Sequence, residues 1–162
     1  VKVLSVIEKE YGTVKNGMNW RFDKTKMIID GIGPIPNCTG SPIWIDVKDV
    51  VQAIVIMRGV KEIGDFAVYG FSKLVTVELH NDVKKMASGA FLNCTRLKAI
   101  SISNTETFIG PSAFENCSLM KSVKLPKDLE KINSYTYFNF SKLQIIPREH
   151  QNSRRGSVCV LQ

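Results

Sequence analysis

Residues 109–117 read Ile109-Gly110-Pro111-Ser112-Ala113-Phe114-Glu115-Asn116-Cys117, and the same grammar returns at a step of 23 residues on either side. Counting from Ile63 gives Ile63, Met86, Ile109 and Ile132. The same step gives Ala67, Ala90, Ala113 and Thr136, then Val68, Phe91, Phe114 and Tyr137. Further columns run Phe71, Cys94, Cys117, Phe140; Leu74, Leu97, Met120, Leu143; and Val77, Ile100, Val123, Ile146. Val51, Ile54 and Ile56 stand 23 residues before Leu74, Val77 and Leu79 and form a half copy. Six apolar columns kept in one register predict stacked coils, because a single coil of this length cannot bury its own apolar face.

A period of 23 falls in the leucine-rich-repeat range, and the L-x-x-L-x-L core stands at Leu74, Val77, Leu79, then Leu97, Ile100, Ile102, then Met120, Val123, Leu125. The step of two inside each core reads as a short strand with both apolar side chains facing inward. Each coil then donates one strand to a parallel, concave sheet. Asp65, Ser88, Ser112 and Ser134 fall at or beside one repeat position and suit N-caps of short helical turns on the convex side. The expected fold is a leucine-rich repeat solenoid, α/β or β-rich. Trp20, Phe22, Met27 and Ile29 alternate with polar residues about Asp23 to Lys26 and predict a β-hairpin that caps the N-terminal end. The expected organisation is a cap over 1–50, a solenoid over 51–147, and a polar, mobile tail over 148–162.

The run Val60-Lys61-Glu62-Ile63-Gly64-Asp65-Phe66-Ala67, with the motif at 109–117, resembles the BspA-like (Treponema-type) leucine-rich repeats of bacterial and protist surface proteins. The resemblance spans residues 51–147. Trp20, Gly31-Ile32-Gly33 and Pro42-Ile43-Trp44 are similar to segments that precede the first repeat in that family. It implies an adhesive or partner-binding surface module without enzymatic activity. Tyr135-Thr136-Tyr137 departs from the usual Ala-Phe context, and Phe71 and Phe140 replace Cys at the two ends of their column.

Composition supports a folded chain and narrows the chemistry. The 162 residues are 44% hydrophobic and 23% charged, and no apolar run approaches the ~18 residues a spanning helix needs. The net charge of +7 is spread over the chain, with basic residues beside acidic ones as in Lys61-Glu62 and Glu130-Lys131, which argues against a nucleic-acid partner. Four Cys without a C-x-x-C pair, and only His80 and His150, predict neither a disulfide framework nor a zinc site. No cofactor is implied. Cys94 and Cys117, one repeat apart, read first as buried thiols and second as a disulfide.

Catalysis needs a nucleophile, a base and an orienting group, and the conspicuous residues are already committed to columns. The strand residues that alternate with the buried pair therefore carry the binding expectation: Ala53, Val55 and Met57; Thr76, Glu78 and His80; Ala99, Ser101 and Ser103; Ser122 and Lys124. Small side chains dominate this face, which lets a partner backbone approach. Of the four sequons, Asn37-Cys38-Thr39 is the expected glycan acceptor, whereas the column Asn93, Asn116, Asn139 is expected to hydrogen-bond backbone at the turn. Cys159-Val160-Leu161-Gln162 matches a prenylation box, with Arg154 and Arg155 upstream. The two readings exclude each other: a secreted or cell-surface module that binds a protein ligand, or an adaptor tethered to the cytosolic face of a membrane through Cys159.

Overall fold

The computed structural model describes residues 11–14, 17–39, 43–102, 108–124 and 144–146. Residues 125–143, the polar tail and Cys159 lie outside the described residues. Eight strands form one long sheet: β1 (Tyr11–Val14), β2 (Met18–Asp23), β3 (Lys26–Asp30), β5 (Ala53–Ile56), β7 (Thr76–Leu79), β9 (Ala99–Ser101), β11 (Ser122–Lys124) and β12 (Gln144–Ile146), in that order. A second, short sheet stacks β4 (Gly33–Ile35), β6 (Val60–Ile63), β8 (Lys85–Met86) and β10 (Phe108–Ile109). Each coil thus runs through the long sheet, turns, touches the short sheet, and returns through a run of turns.

The columns become the core. Ile54, Val77, Ile100 and Val123 pair as neighbours in parallel strands, and Ile63, Met86 and Ile109 do the same in the short sheet. Ala67, Val68, Phe71, Leu74, Ala90, Phe91, Cys94, Leu97, Ala113, Phe114 and Cys117 are completely excluded from solvent. Burial of stacked apolar columns drives this arrangement. Phe91 and Phe114 stack with ring centroids 5.5 Å apart and planes 9° apart.

The hairpin is present, β2 pairing antiparallel with β3, but it is continuous with the solenoid. β3 pairs in parallel with β5 through Met27↔Ile54 and Ile29↔Ile56, a step of 27 residues. A further strand, β1, adds to the hairpin edge. Trp44 is buried and its indole N–H donates to the Ala67 carbonyl at 2.6 Å, fastening the first coil to the next.

Three expectations are corrected. First, the convex segments are turns, with no helix among the described residues. Alternate N–H groups are spent on the neighbouring coil: Phe66, Val68 and Gly70 donate to the carbonyls of Ser88, Ala90 and Leu92, and Gly89, Phe91 and Asn93 to those of Pro111, Ala113 and Glu115. Those between them, such as Ala67, Tyr69, Ala90 and Leu92, reach only three residues back, to Gly64, Phe66, Ala87 and Gly89. Left-handed residues also recur in two columns, Phe66, Gly89, Ser112 and Gly70, Asn93, Asn116, with φ between 55° and 72°. Two such residues per turn end any helical path. Glycine at 89 has a second reason, since a Cβ there would meet the Phe66 ring at 2.5 Å. Second, Asp65 does not cap its own turn; its carboxylate accepts from the Ser88 N–H of the next coil at 2.9 Å. Third, the last strand slips: Val123 pairs with Ile145, and Ile146 stands opposite Lys124, so the final step is 22 rather than 23 residues.

Candidate functional site

Parity within each strand decides which side chains reach solvent. On β5, β7 and β9 the buried residues are Ile54, Ile56, Val77 and Ile100, so Ala53, Val55, Thr76, Glu78, Ala99 and Ser101 lie on the outer face. Thr76, Glu78, Ala99 and Ser101 are exposed and Val55 is half-buried. Register brings them into rows: Thr76 opposite Ala53 and Ala99, Val55 opposite Glu78. In backbone register, Ser122 stands opposite Ala99 and Lys124 opposite Ser101. Ser103 lies outside the described residues. The sequence reading stopped at β5, whereas the pairing of β3 with β5 adds Lys26 and Ile28, opposite Ala53 and Val55, and the hairpin adds Arg21 opposite Ile28.

Met57 and His80 follow the C-terminal ends of β5 and β7. Their N–H groups bond the Ile29 and Ile56 carbonyls, which holds them in the same stack. Met57 is 41% exposed. The Asp82 N–H donates to His80 Nδ1 at 3.3 Å. Asp82 Oδ2 accepts from the Gly59 N–H at 2.9 Å, tying two successive turns together. That bond, with Lys61, His80 and Arg58 nearby, holds the Asp82 carboxyl below the ordinary carboxylate range against a smaller opposing effect of burial.

The remaining candidates take structural places. Asn37 is exposed, and its Oδ1 accepts from the Asp65 N–H at 2.8 Å. Asn116 Nδ2 donates to Asn93 Oδ1 at 2.8 Å, and Asn93 Nδ2 reaches the Tyr69 hydroxyl at 3.4 Å. Asn93 and Asn116 therefore form a side-chain ladder in left-handed backbone, and Asn139 lies outside the described residues. The preceding member of their column, Gly70, was the missed clue: Gly and Asn are the residues that tolerate this conformation.

Cys38, Cys94 and Cys117 are free thiols. Cys94 and Cys117 donate to the Val68 and Phe91 carbonyls at 3.1 and 3.2 Å. Burial pushes the Cys94 thiol well above its usual value and the Cys117 thiol up to about 12, so neither offers a thiolate near neutrality. Among the described residues no group of three His, Cys, Asp or Glu side chains converges as a metal site. No helix there is long and apolar enough to cross a membrane. The described part of the face thus sets small side chains, Ala53, Thr76, Ala99 and Ser101, beside the half-buried Val55.

The family described as BspA type Leucine rich repeat region matches residues 48–157 in 6 copies. Family membership suggests a protein-interaction scaffold. A leucine-rich repeat protein from Eubacterium ventriosum superposes with a TM-score of 0.63 at 18% identity, over 84% of this chain and 44% of its own length. A T. pallidum leucine rich repeat protein superposes with a TM-score of 0.60 at 20% identity, over 85% of this chain and 68% of its own. This chain therefore spans less than half of the Eubacterium protein. No curated protein is significantly similar in sequence.

Proposed function

The chain belongs to the BspA-type leucine-rich repeat family, and from that premise we propose that it is a non-enzymatic, cell-surface or secreted module that holds a protein ligand against the outer face of the long sheet. The observation that carries this reading is the run of small side chains Ala53, Thr76, Ala99 and Ser101 around Val55 and Met57. Small residues allow a partner backbone to come close, and a local apolar spot supplies contact area that water leaves readily. The contact set is Val55, Met57, Thr76, Glu78, His80, Ala99, Ser101, Ser103, Ser122 and Lys124. Asn37 serves as a glycan acceptor if the chain is made in a glycosylating secretory pathway.

The test is binding to immobilised extracellular-matrix proteins by the wild type and by the triple variant Val55→Tyr, Thr76→Tyr, Ser101→Tyr. Tyrosine suits exposed strand positions, so the melt should hardly move while the approach is filled. A variant that binds as well as the wild type removes the long sheet as the contact surface. The box at Cys159 favours a second reading, an intracellular adaptor tethered by a prenyl thioether. Mass spectrometry of the protein from its native cells separates the two, since a glycan on Asn37 and a prenyl group on Cys159 belong to opposite sides of a membrane.

A further inference from the structure

The rim from which the chain enters the long sheet is strongly one-signed. Over equal spans of the three coils, residues 70–76, 93–99 and 116–122 carry four basic residues, Lys73, Arg96, Lys98 and Lys121, and no acidic one, while two residues further along each strand the column reads Glu78, Ser101, Lys124. The solenoid sorts these four into two columns. Lys98 and Lys121 immediately precede β9 and β11, and their N–H groups continue the ladder, Lys98 to the Val75 carbonyl and Lys121 to the Lys98 carbonyl. Lys73 and Arg96 share the other column, one coil apart, two residues upstream of Val75 and Lys98. All four side chains are exposed, and no described acidic side chain pairs with them.

Glu78 stands on the sheet opposite Val55, whereas Glu62, Asp65 and Asp82 lie away from the rim. Glu62 pairs with Lys85 on the short sheet, Asp65 takes the Ser88 N–H, and Asp82 takes the Gly59 N–H at the opposite end of the strands. Adjacent coils are about 4.8 Å apart, so the rim cations repel one another at short range, and an anion laid across the coils relieves several repulsions at once. Immediately beside the rim lie Thr76, Ala99 and Ser101, and beyond them Val55 and Ile28. An acidic polypeptide can use both features, carboxylates on the rim and apolar side chains on the sheet. A sulfated glycan can use only the first.

We propose that the partner presents an acidic polypeptide segment that crosses the coils, its carboxylates on Lys73, Arg96, Lys98 and Lys121 and its backbone over Thr76 and Ser101. This rests on the long-sheet reading above and adds the chemistry of the ligand. The probe is a fluorescein-labelled ten-residue peptide of alternating Glu and Leu, titrated by anisotropy at low and physiological salt. Three variants accompany the wild type: a rim variant (Arg96→Glu, Lys98→Glu, Lys121→Glu), a charge-matched control away from the rim (Lys48→Glu, Arg58→Glu, Lys61→Glu), and the triple tyrosine variant. Circular dichroism melts confirm that each is folded.

The expected result is a loss on the order of tenfold or more in the rim variant, a change within about threefold in the control, and weakening as salt rises. Equal losses in rim and control variants would mean attraction to net charge alone and overturn the site. Wild-type affinity in the rim variant with loss in the tyrosine variant overturns the acidic chemistry while leaving the long sheet as the contact face. Loss in the rim variant with none in the tyrosine variant overturns the path over the sheet, and the proposed function with it. A heparin oligosaccharide that binds more tightly than the peptide and ignores the tyrosine changes overturns the choice of a polypeptide.

Discussion

In a solenoid, the energy of a core residue is shared with the coils before and after it and with no others, and the column Val68, Phe91, Phe114 allows this to be measured. All three are fully buried, and the two rings stack at 5.5 Å. Phe91→Ala would cost about 3–5 kcal/mol, a large part of a domain stability of about 5–15 kcal/mol, so Phe→Leu is the workable change at about 1–2 kcal/mol each. The ring pair is worth about 0.5–1.5 kcal/mol beyond burial and is lost with either substitution. The double variant Phe91→Leu, Phe114→Leu should therefore cost less than the sum of the singles by about that amount. Val68 and Phe114 are two coils, about 9.6 Å, apart and should be additive to within about 0.5 kcal/mol. Urea unfolding followed by circular dichroism, with the slope m compared between variants, gives each value. Coupling between Val68 and Phe114 as large as that between the rings would refute nearest-neighbour stacking as the source of this stability.

Two further outcomes follow from the turn and thiol geometry. Asn93→Ala removes both the left-handed tolerance and the amide ladder to Asn116, so it should destabilise by about 1–2 kcal/mol, whereas Asn93→Gly should recover most of the backbone share in the same urea assay. The Cys117 thiol, raised in the fold to about 12, binds its proton more tightly than in the unfolded chain. The stability this gives is complete below about pH 8.5, the unfolded value, and is lost as pH climbs towards 12, by about 1.4 kcal/mol per unit. Cys117→Ala should flatten that part of a stability profile against pH; an unchanged profile would show that the thiol is not buried as described.

The apolar columns were legible because burial imposes the same chemistry at the same position of every coil, and chemistry at a fixed step is what self-comparison detects. Ile63, Met86 and Ile109 were visible as a column for this reason, but not as a sheet, since strands of two residues such as β8 and β10 are too short to show alternation. The pairing of β3 with β5 escaped because its step of 27 breaks the period. The turns were misread as helical because Asp65 and Ser88 have the right side chains for caps, while the sharper signal, Gly70 followed by Asn93 and Asn116, lies in what glycine and asparagine share in the backbone. The outer face followed from parity alone. The basic rim did not, because charges were compared with their neighbours along the chain, and Lys98 meets Lys121 only when coils are stacked.

The inter-coil bonds of the turns have a mechanical consequence. Both sheets and the turn ladder point their hydrogen bonds along the solenoid axis, so tension along that axis opens one row of bonds at a time instead of shearing many together. Each coil that lets go frees 23 residues, about 75–80 Å of extended chain. A partner held across several coils would splint those rows against such peeling, and the chain would lengthen in coil-sized increments only after that splint had been released.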